Sequence, residues 1–307
     1  MRDNKRDYSD VVIIGGGASG LAAAIELKML SPSVSIVILE KNSEPGRKIR
    51  ATGSGRCNIT NRDADGYHEI MEFFTRIGLV TRTYDNGLVY PYSESAADAA
   101  DLLVSRAEEL GARIITDAEA ETATAAAADT ASAGSGNRGT VFETGYSVRS
   151  AGRVQHRVIT SDYLILACGG KAGPMFGTTG DGYRFARSAG HSIVTPVPVL
   201  TPVECAEWGE GHRPAGTILA GTRTRGTVSL YKCDNTADSF GQEVFKETGE
   251  IQFTKFGLSG ICVFNMTRHM RYNRAAGESI HNFVIMTDLF PDGNIEEYLM
   301  DRRRNAF

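Results

Sequence analysis

Short apolar runs and a longer segment of mixed polarity alternate at the start of the chain. Asp10–Ile14 and Val34–Glu40 are apolar and rich in β-branched side chains, which is typical of strands buried on both faces of a parallel sheet. Between them, Leu21–Leu30 has the pattern of a helix with small residues on the side that faces the sheet, and Pro32 ends it. The order of these segments predicts a β–α–β unit of about thirty residues.

Helical and strand patterns continue to residue 193. We expect two helices, over His68–Ile77 and over Glu94–Leu110, and Ser93 and Gly111 are residue types that begin and end a helix. The further predicted elements are strands over Arg113–Thr116, Val141–Val148, Val154–Thr160 and Tyr163–Ala167, and a helix within Thr178–Ala189. Residues 119–140 are rich in Ala, Thr, Ser and Gly, so we expect a flexible, low-complexity insertion there.

The pattern changes near residue 194, where Pro196, Pro198 and Pro202 follow one another closely. Beyond them, short strand-like segments occur at Gly226–Lys232, Glu250–Phe253, Ile261–Asn265 and Phe283–Asp288. We therefore expect an α/β fold with two domains. Residues 1–193 would form a Rossmann-like domain with a β-meander, and residues 194–307 would form a second, mostly β domain.

Composition narrows the class of protein. The chain has 307 residues, 41% of them hydrophobic, and a net charge of −4, which suits a packed globular protein. No block of Lys and Arg stands out, so we expect no nucleic-acid partner. The apolar stretch Val11–Leu30 contains several glycines together with Glu26 and Lys28, and the first ten residues are polar. We therefore expect neither a membrane segment nor a signal peptide, and a cytoplasmic location.

The five cysteines are scattered singly, without a CxxC pair or a metal-ligand spacing. This pattern predicts free thiols in a reducing compartment and no metal site. The sequence also has no pattern of an acyl-transfer triad, a P-loop or a kinase. We therefore predict no catalytic residue from the sequence, and the sequence does not indicate the oligomeric state.

The strongest local signal is the segment from Gly15 to Gly20, a G-x-G-x-x-G that directly follows a predicted strand and opens a predicted helix. Gly15 allows a tight turn, Gly17 lets the backbone approach a pyrophosphate, and Gly20 lets helix and strand pack closely. The helix N-terminus offers free N–H groups to the phosphates. Glu40 ends the second strand, where an acid accepts hydrogen bonds from ribose hydroxyls and repels the 2′-phosphate of NADP. A glycine-rich turn without a ligand is the alternative.

The sequence after Glu40 points to a family. Pro45-Gly46-Arg47-Lys48 is followed by Ala51-Thr52-Gly53-Ser54-Gly55-Arg56-Cys57-Asn58-Ile59-Thr60-Asn61. This stretch resembles the "GRK…ATGxGRCNxTN" segment of the BaiN/RdsA family of NAD(P)/FAD-dependent oxidoreductases. Blocks at residues 89–93, 166–170, 177–183 and 253–260 are similar to further family motifs, in the same order. In this chain Cys168 stands where Thr is usual, and Lys255 where His is usual.

The resemblance implies FAD as the cofactor and NAD(P)H as the hydride donor. The flavin would then reduce an electron-poor double bond of a small organic substrate. It also implies that residues 1–193 bind FAD, that residues 194–307 belong to an inserted substrate domain, and that the chain of family members later returns to the first domain. No glycine-rich stretch of that kind follows Gly260, so we expect this chain to be C-terminally truncated and its second domain to be incomplete.

The residues that we expect to contact the cofactor lie in the glycine turn, at the end of the second strand and in the family motifs. The full set is Gly15, Gly17, Ala18, Ser19, Gly20, Glu40, Lys41, Arg47, Lys48, Gly53, Gly55, Arg56, Cys57, Asn58, Gly169, Gly170 and Asp181. Arg47, Lys48 and Arg56 can offer charge to phosphates or to a reduced flavin, although Arg56 equally suits a structural salt bridge. Asn58 can bind a flavin edge or cap its loop.

Two of these residues have further alternatives. Cys57 invites a redox role, but no partner thiol lies near it in the sequence, which favours an inert thiol. Asp181 can contact the cofactor or simply cap a helix. For the whole chain, the alternatives are a flavoprotein resembling fumarate reductase or aspartate oxidase, which share a similar "TGDG" block, and a non-catalytic fragment that binds a nucleotide.

Overall fold

The computed structural model describes residues 7–127, 140–150, 152–205, 219–233, 241–271 and 280–304. The chain divides into two compact units, Met1–Pro196 and Val197–Phe307. The first is a Rossmann-type α/β unit and the second is mostly β, which confirms the predicted fold class.

Among its described residues, the first unit contains a large sheet, a small sheet and four α-helices. Its strands are β1 (Asp7–Ile14), β2 (Ile36–Leu39), β3 (Thr60–Asn61), β4 (Thr81–Thr83), β5 (Leu88–Pro91), β6 (Ala112–Ile115), β7 (Ala118–Ala127), β8 (Thr140–Ser150) and β9 (Arg153–Leu166). Its α-helices are α1 (Ala18–Leu30), α2 (Tyr67–Arg76), α3 (Ala96–Glu109) and α4 (Asp181–Ser188).

The large sheet has six strands in the order β6-β2-β1-β9-β8-β7. The first four are parallel, and β8 and β7 continue the sheet as an antiparallel meander. Ile13 in β1 pairs with Ile38 on one side and Ile165 on the other. All four residues of β2 are buried, as expected of a central parallel strand covered on both faces. The small sheet is antiparallel, in the order β3-β5-β4.

Apolar side chains cover the large sheet in two clusters. On one side, Leu21 and Ile25 of α1 and Leu103 of α3 pack with alternate residues of β1 and β2. The other cluster joins Tyr146 and Phe185 to the remaining residues of these strands and to three small residues of β7, namely Ala118, Ala120 and Ala123. The candidate site lies where β1, β2 and β9 end, between the residues of these two clusters.

The second unit is built on a five-stranded antiparallel sheet in the order β10-β13-β12-β11-β14. Its strands are β10 (Val203–Glu204), β11 (Arg223–Lys232), β12 (Gln242–Phe253), β13 (Gly257–Ser259) and β14 (Phe283–Asp288), and its helices are α5 (Ile261–Thr267) and α6 (Ile295–Arg304). Val263 and Met266 of α5 pack on Leu230 and Ile251 of the sheet. The assignment of this unit as an inserted, incomplete substrate domain, and the predicted boundary at residue 194, stay predictions.

Several element boundaries were wrong in the sequence prediction. Helix α3 begins at Ala96 and is capped by Ser95, whose hydroxyl accepts a hydrogen bond from Asp98 N at 3.2 Å, and not by Ser93. The two serines have the same capping chemistry, and the backbone decides between them, because Glu94 has a φ of 51° and so cannot be helical. The predicted stop at Gly111, whose φ is 90°, agrees with the helix end at Glu109.

Three segments have a different structure from the predicted one. Residues 118–127 form strand β7 and are not part of a flexible insertion. Alanine is small enough for Ala120 and Ala123 to be buried in the cluster that contains Tyr146 and Phe185. Residues 128–139 lie outside the described part of the chain. The two strands predicted over 154–167 are one continuous strand, β9. Ile261–Asn265, predicted as a strand, is the helix α5, in which the apolar side chains bury one face.

None of the helices in the described part of the chain combines the length and the apolar character that crossing a bilayer requires. Within the same residues, no three His, Cys, Asp or Glu side chains come together as metal ligands would.

Candidate functional site: a cavity at the glycine turn

A cavity of about 450 Å³ opens at the carboxyl edge of the parallel strands of the first unit. In doubly wound sheets, ligands bind at this edge, where the connections leave a central strand in opposite directions. The predicted cofactor contacts that line it are Gly15, Gly17, Ala18, Ser19, Glu40, Lys41, Arg47, Lys48, Cys57, Asn58, Gly169 and Asp181. Three regions that are far apart in sequence, at residues 15–19, 40–58 and 169–181, thus meet at one cavity. The predicted contacts that do not line it are Gly20, Gly53, Gly55, Arg56 and Gly170.

The glycines of the turn have different structural reasons for being glycine. Gly15 has a φ of 113°, and a Cβ there would overlap the carbonyl of Ala167. At Gly20, a Cβ would overlap the carbonyl of Gly15, so this position lets α1 approach the end of β1. Gly17 differs from both: its φ of −82° and ψ of −172° suit any residue, and nothing lies within 4 Å of a Cβ built there. The fold requires Gly15 and Gly20, whereas Gly17 leaves open space on the cavity side.

The N-terminus of α1 faces this space. Gly17 is the residue that precedes the helix, so it supplies no side-chain cap, and the first turn contains no acidic residue. The first backbone N–H groups of a helix have no partner within the helix, and they carry the positive end of its dipole. Ala18 and Ser19 line the cavity. This end of α1 can therefore accept an anionic group.

Glu40 follows β2 and is 7% exposed. Its Oε2 accepts a hydrogen bond from Gly16 N at 2.8 Å, and its Oε1 accepts two from Asn42, from N at 2.8 Å and from Nδ2 at 2.7 Å. A carboxylate has about four acceptor positions, so these three bonds from described residues leave capacity for a ligand hydroxyl. The sequence prediction missed Asn42 as the side chain that orients Glu40. The sequence feature that could have predicted this role is an amide side chain two residues after an acidic residue at the end of a strand.

Lys41 and Asp181, predicted separately, form an ion pair with each other. Lys41 Nζ lies 2.9 Å from Asp181 Oδ2 and donates to Thr179 Oγ1 at 3.1 Å. Burial raises the pKa of Asp181, but the hydrogen bonds from Lys41 and Thr179 and the charges of Lys41 and Arg184 outweigh it and hold the pKa below its usual value. Both side chains line the cavity, so the pair contributes polar groups and little net charge to its wall.

Asp181 is also not the cap of α4. The residue before the helix is Gly180, with a φ of 87°, and no side-chain cap hydrogen bond is present there. Asp181 is the first helical residue, where its charge is favourable to the helix dipole. The alternative interpretation of Asp181 as a plain N-cap is therefore wrong.

The other basic residues bind backbone and amide oxygens across the cavity rim. Lys48 Nζ donates to the carbonyl of Ala172 at 2.7 Å, and Arg47 donates to Asn42 Oδ1 at 3.2 Å. Arg56 points elsewhere: it lies 4.0 Å from Glu94 Oε2 and stacks on the ring of Tyr90, with Cζ 4.8 Å from the ring centroid. In this structure Arg56 makes the structural salt bridge that the sequence left open as an alternative.

Two free thiols line the cavity, and neither is activated. Burial raises the pKa of Cys57, against a smaller lowering effect of a hydrogen bond with Thr52. Burial, and then the charge of Asp181, raise the pKa of Cys168 to about 11. Thiols with raised pKa values are poor nucleophiles, and all five cysteines are free, which agrees with the interpretation of Cys57 as an inert thiol.

We expect Cys168 to be alkylated slowly at neutral pH and faster as the pH rises. With a folded pKa of about 11, roughly one thiol in a thousand is ionised at pH 8, and this fraction rises about tenfold per pH unit up to the pKa. Peptide-resolved mass spectrometry of iodoacetamide labelling between pH 7 and 10 measures the rate. The urea-unfolded chain is the control. A rate that already levels off near pH 9 in the folded protein would contradict this expectation.

The motifs gave no indication of the apolar wall of the cavity. Several of its residues belong to the cluster of α1 and α3, and others to the cluster of the meander. They are Ile49, Ile59, Phe74, Ala99 and Leu103 from the first and Ala118, Ala120 and Phe185 from the second. Apolar side chains have no sequence signature of a site, because the same pattern specifies a core.

The fold and this cavity define a Rossmann-type dinucleotide-binding domain. Residues 9–69 match the family model of the HI0933-like protein Rossmann domain. Over 300 residues, the chain is 33% identical to the 3-dehydro-bile acid delta(4,6)-reductase of Clostridium scindens, covering 91% of this chain and 64% of that protein. It is 23% identical over 317 residues to the ribosomal RNA dihydrouridine synthase of Haemophilus influenzae, covering 97% of this chain and 69% of that protein. These matches confirm the family resemblance that the motifs predicted.

The chain thus spans about two thirds of the length of these relatives, or 64% and 69%. Among solved structures, it is similar to the crystal structure of Thermovibrio ammonificans THI4, with a TM-score of 0.41 and 22% identity, over 60% of this chain and 64% of that one.

Proposed function

We propose that the first unit binds FAD and that the protein is an FAD-dependent oxidoreductase. In this proposal NAD(P)H supplies hydride, and an electron-poor double bond of a small organic molecule accepts it. The observation that carries the proposal is the open face of Gly17 beside the N-terminus of α1, with the Glu40 carboxylate at the end of the neighbouring strand. Such an arrangement suits a pyrophosphate with a ribose on the Glu40 side.

The residues present fit a flavin dinucleotide. The N-terminal turn of α1, at Gly17–Ser19, would hold the pyrophosphate, and Glu40 would accept from a ribose hydroxyl. The paired Lys41 and Asp181 would lie beside the adenosine half, and Asn58 would face the flavin half. When bound, FAD supplies the hydride chemistry itself. The chain's own residues bind and orient it, and the apolar wall around Phe74 and Leu103 excludes water.

The names of two relatives support a proposal for the substrate class. One is named as a reductase of a bile acid and the other as a ribosomal RNA dihydrouridine synthase, and both names describe the addition of hydrogen. The relative with the higher identity has a small-molecule substrate in its name, and the chain has no block of basic residues. We therefore propose a small molecule and not RNA. We also propose a cytoplasmic location, since all five cysteines are free.

Anaerobic titration tests the proposal. We expect the purified chain to retain or take up FAD, with the visible absorption bands of a bound flavin. If the chain can accept hydride from a nicotinamide nucleotide, NADH or NADPH will reduce the bound flavin and bleach those bands. If the chain binds FAD but neither NADH nor NADPH bleaches the flavin bands, the result supports the alternative that the chain is a non-catalytic fragment that binds a nucleotide. A chain that cannot be loaded with FAD contradicts the proposal. Succinate or aspartate as the preferred reductant would favour the fumarate reductase or aspartate oxidase class instead.

A further inference from the structure

Glu94 lies in the turn between β5 and α3 and does not line the cavity. Its φ of 51° is in the left-handed region, which is unfavourable for a residue other than glycine. Its N–H donates to the carbonyl of Pro91 at 2.9 Å. Such conformations persist where the surroundings hold them, and they occur often near functional sites.

Three side chains from two segments of the chain converge on the Glu94 carboxylate: Arg82 and Tyr84 lie at the end of β4, and Arg56 lies some 26 residues earlier. Tyr84 donates a hydrogen bond to Oε1, and Arg82 Nη1 lies 3.8 Å from the same oxygen. Arg56 Nη1 lies 4.0 Å from Oε2. The side chains of Glu94, Arg82 and Arg56 are 34%, 43% and 49% exposed, and ion pairs at such exposure add little to stability. Their effect is therefore on geometry.

Tyr90 connects this cluster to the segment Gly53–Asn58, which we call the 53–58 loop. The Tyr90 ring is buried, with the Arg56 guanidinium 4.8 Å from its centroid and the Tyr84 ring packed edge-on at 5.6 Å. Where the loop starts, a Cβ on Gly53 would lie 3.2 Å from Tyr90 Cε1. The loop therefore contacts the same ring at Gly53 and at Arg56.

The 53–58 loop is itself held in an unusual conformation. Ser54 and Cys57 have φ angles of 56° and 62°. Together with Glu94, they are three of the five non-glycine residues with positive φ in the described part of the chain. Cys57 and Asn58 line the cavity directly after Arg56, which points away from it. Arg56 thus contacts Glu94 and Tyr90 away from the cavity, while the next two residues of the loop line it.

We propose that Glu94 is a positioning residue: by holding Arg56 on Tyr90, it keeps the 53–58 loop in the conformation in which Cys57 and Asn58 line the cavity. The role of Asn58 toward a flavin rests on the proposed function, but the effect of Glu94 on the loop does not. Loss of the negative charge of Glu94 frees Arg56, and the loop then opens more often.

Labelling of Cys57 tests the proposal without any cofactor. We expect Glu94→Gln to increase the rate at which a neutral thiol reagent labels Cys57 by up to about fivefold at constant pH, because the buried thiol reacts through local opening of the loop and exposed ion pairs contribute at most about 1 kcal/mol. Cys262, buried in the second unit, is the internal control. Glu109→Gln is the matched variant, since it breaks the Arg106–Glu109 pair at the other end of α3. Arg56→Met is expected to repeat the effect of Glu94→Gln.

Two results would overturn the proposal. One is a Cys57 rate in Glu94→Gln within about twofold of the unmodified chain, whatever the rate in Arg56→Met, which would mean that the loop does not depend on Glu94. The other is an equal increase at Cys57 and Cys262, which would mean general destabilisation. If the chain loads with FAD, the loop variants are expected to shift the visible spectrum of the flavin, whereas Glu109→Gln is not. Failure to load with FAD contradicts the proposed function only, because the labelling result is independent of it.

Discussion

Gly17→Val is expected to abolish FAD retention while leaving the fold intact. A valine at Gly17 meets no protein atom within 4 Å of its Cβ, and the backbone at this position is extended, so the variant can fold without strain. Its side chain would instead fill the space in front of the N-terminus of α1, where we place the pyrophosphate. We expect the dissociation constant for FAD to rise at least ~100-fold, equivalent to about 2.7 kcal/mol.

Two measurements on the same variant separate the ligand from the fold. Isothermal titration with FAD gives the affinity, and urea unfolding of the apo chain followed by circular dichroism gives the stability. Gly17→Ala is the graded control, since its smaller side chain is expected to weaken FAD binding less than valine does. Unchanged FAD affinity in Gly17→Val would refute our placement of the pyrophosphate.

The glycine turn was the part of the site that the sequence predicted best. The pattern G-x-G-x-x-G after a strand has a geometric cause at each position, so a few residue types suffice to predict a turn, a close helix–strand contact and an open face. The structure agrees at Gly15 and Gly20, where a side chain would overlap backbone atoms. The cofactor itself stays a prediction.

Charged residues of the site were less predictable. A sequence shows that Lys41, Arg56 and Asp181 have side chains that can form ion pairs, but not which of them face each other. In the structure Lys41 pairs with Asp181 across 140 residues of sequence, and Arg56 turns toward Glu94 and Tyr90. Both pairings depend on which loops the sheet order brings together, and local patterns do not contain that information.

The errors in the fold prediction have a similar cause. Alanine-rich residues 118–127 lack a strong strand pattern, yet they form β7 because small side chains fit beneath Tyr146 and Phe185. Ile261–Asn265 was predicted as a strand from its apolar residues, but tertiary packing on β12 favours a helix over Ile261–Thr267. The buried strands β1 and β2 were located correctly, although not to the residue, since burial on both faces leaves a continuous apolar run.

Gly20→Ala is expected to destabilise the first unit strongly, in contrast to Gly17→Ala three residues earlier. The added methyl group at Gly20 would overlap the carbonyl oxygen of Gly15 and approach Ala167 Cβ to 3.3 Å. Both obstacles lie at the buried end of the parallel strands, so α1 must move away from β1. Overpacking of a close-packed contact costs about 1–3 kcal/mol, and displacement of the helix adds to it, so we expect a loss of about 3 kcal/mol or more.

Urea unfolding of the two alanine variants side by side measures this difference. Both carry the same added methyl group in the same turn, so effects of alanine on the unfolded chain largely cancel in the comparison. We expect Gly17→Ala to unfold within about 1 kcal/mol of the unmodified chain. Equal stability of the two variants would show that α1 does not depend on close contact at Gly20. The distinction between a glycine that the fold requires and one that faces open space would then be wrong.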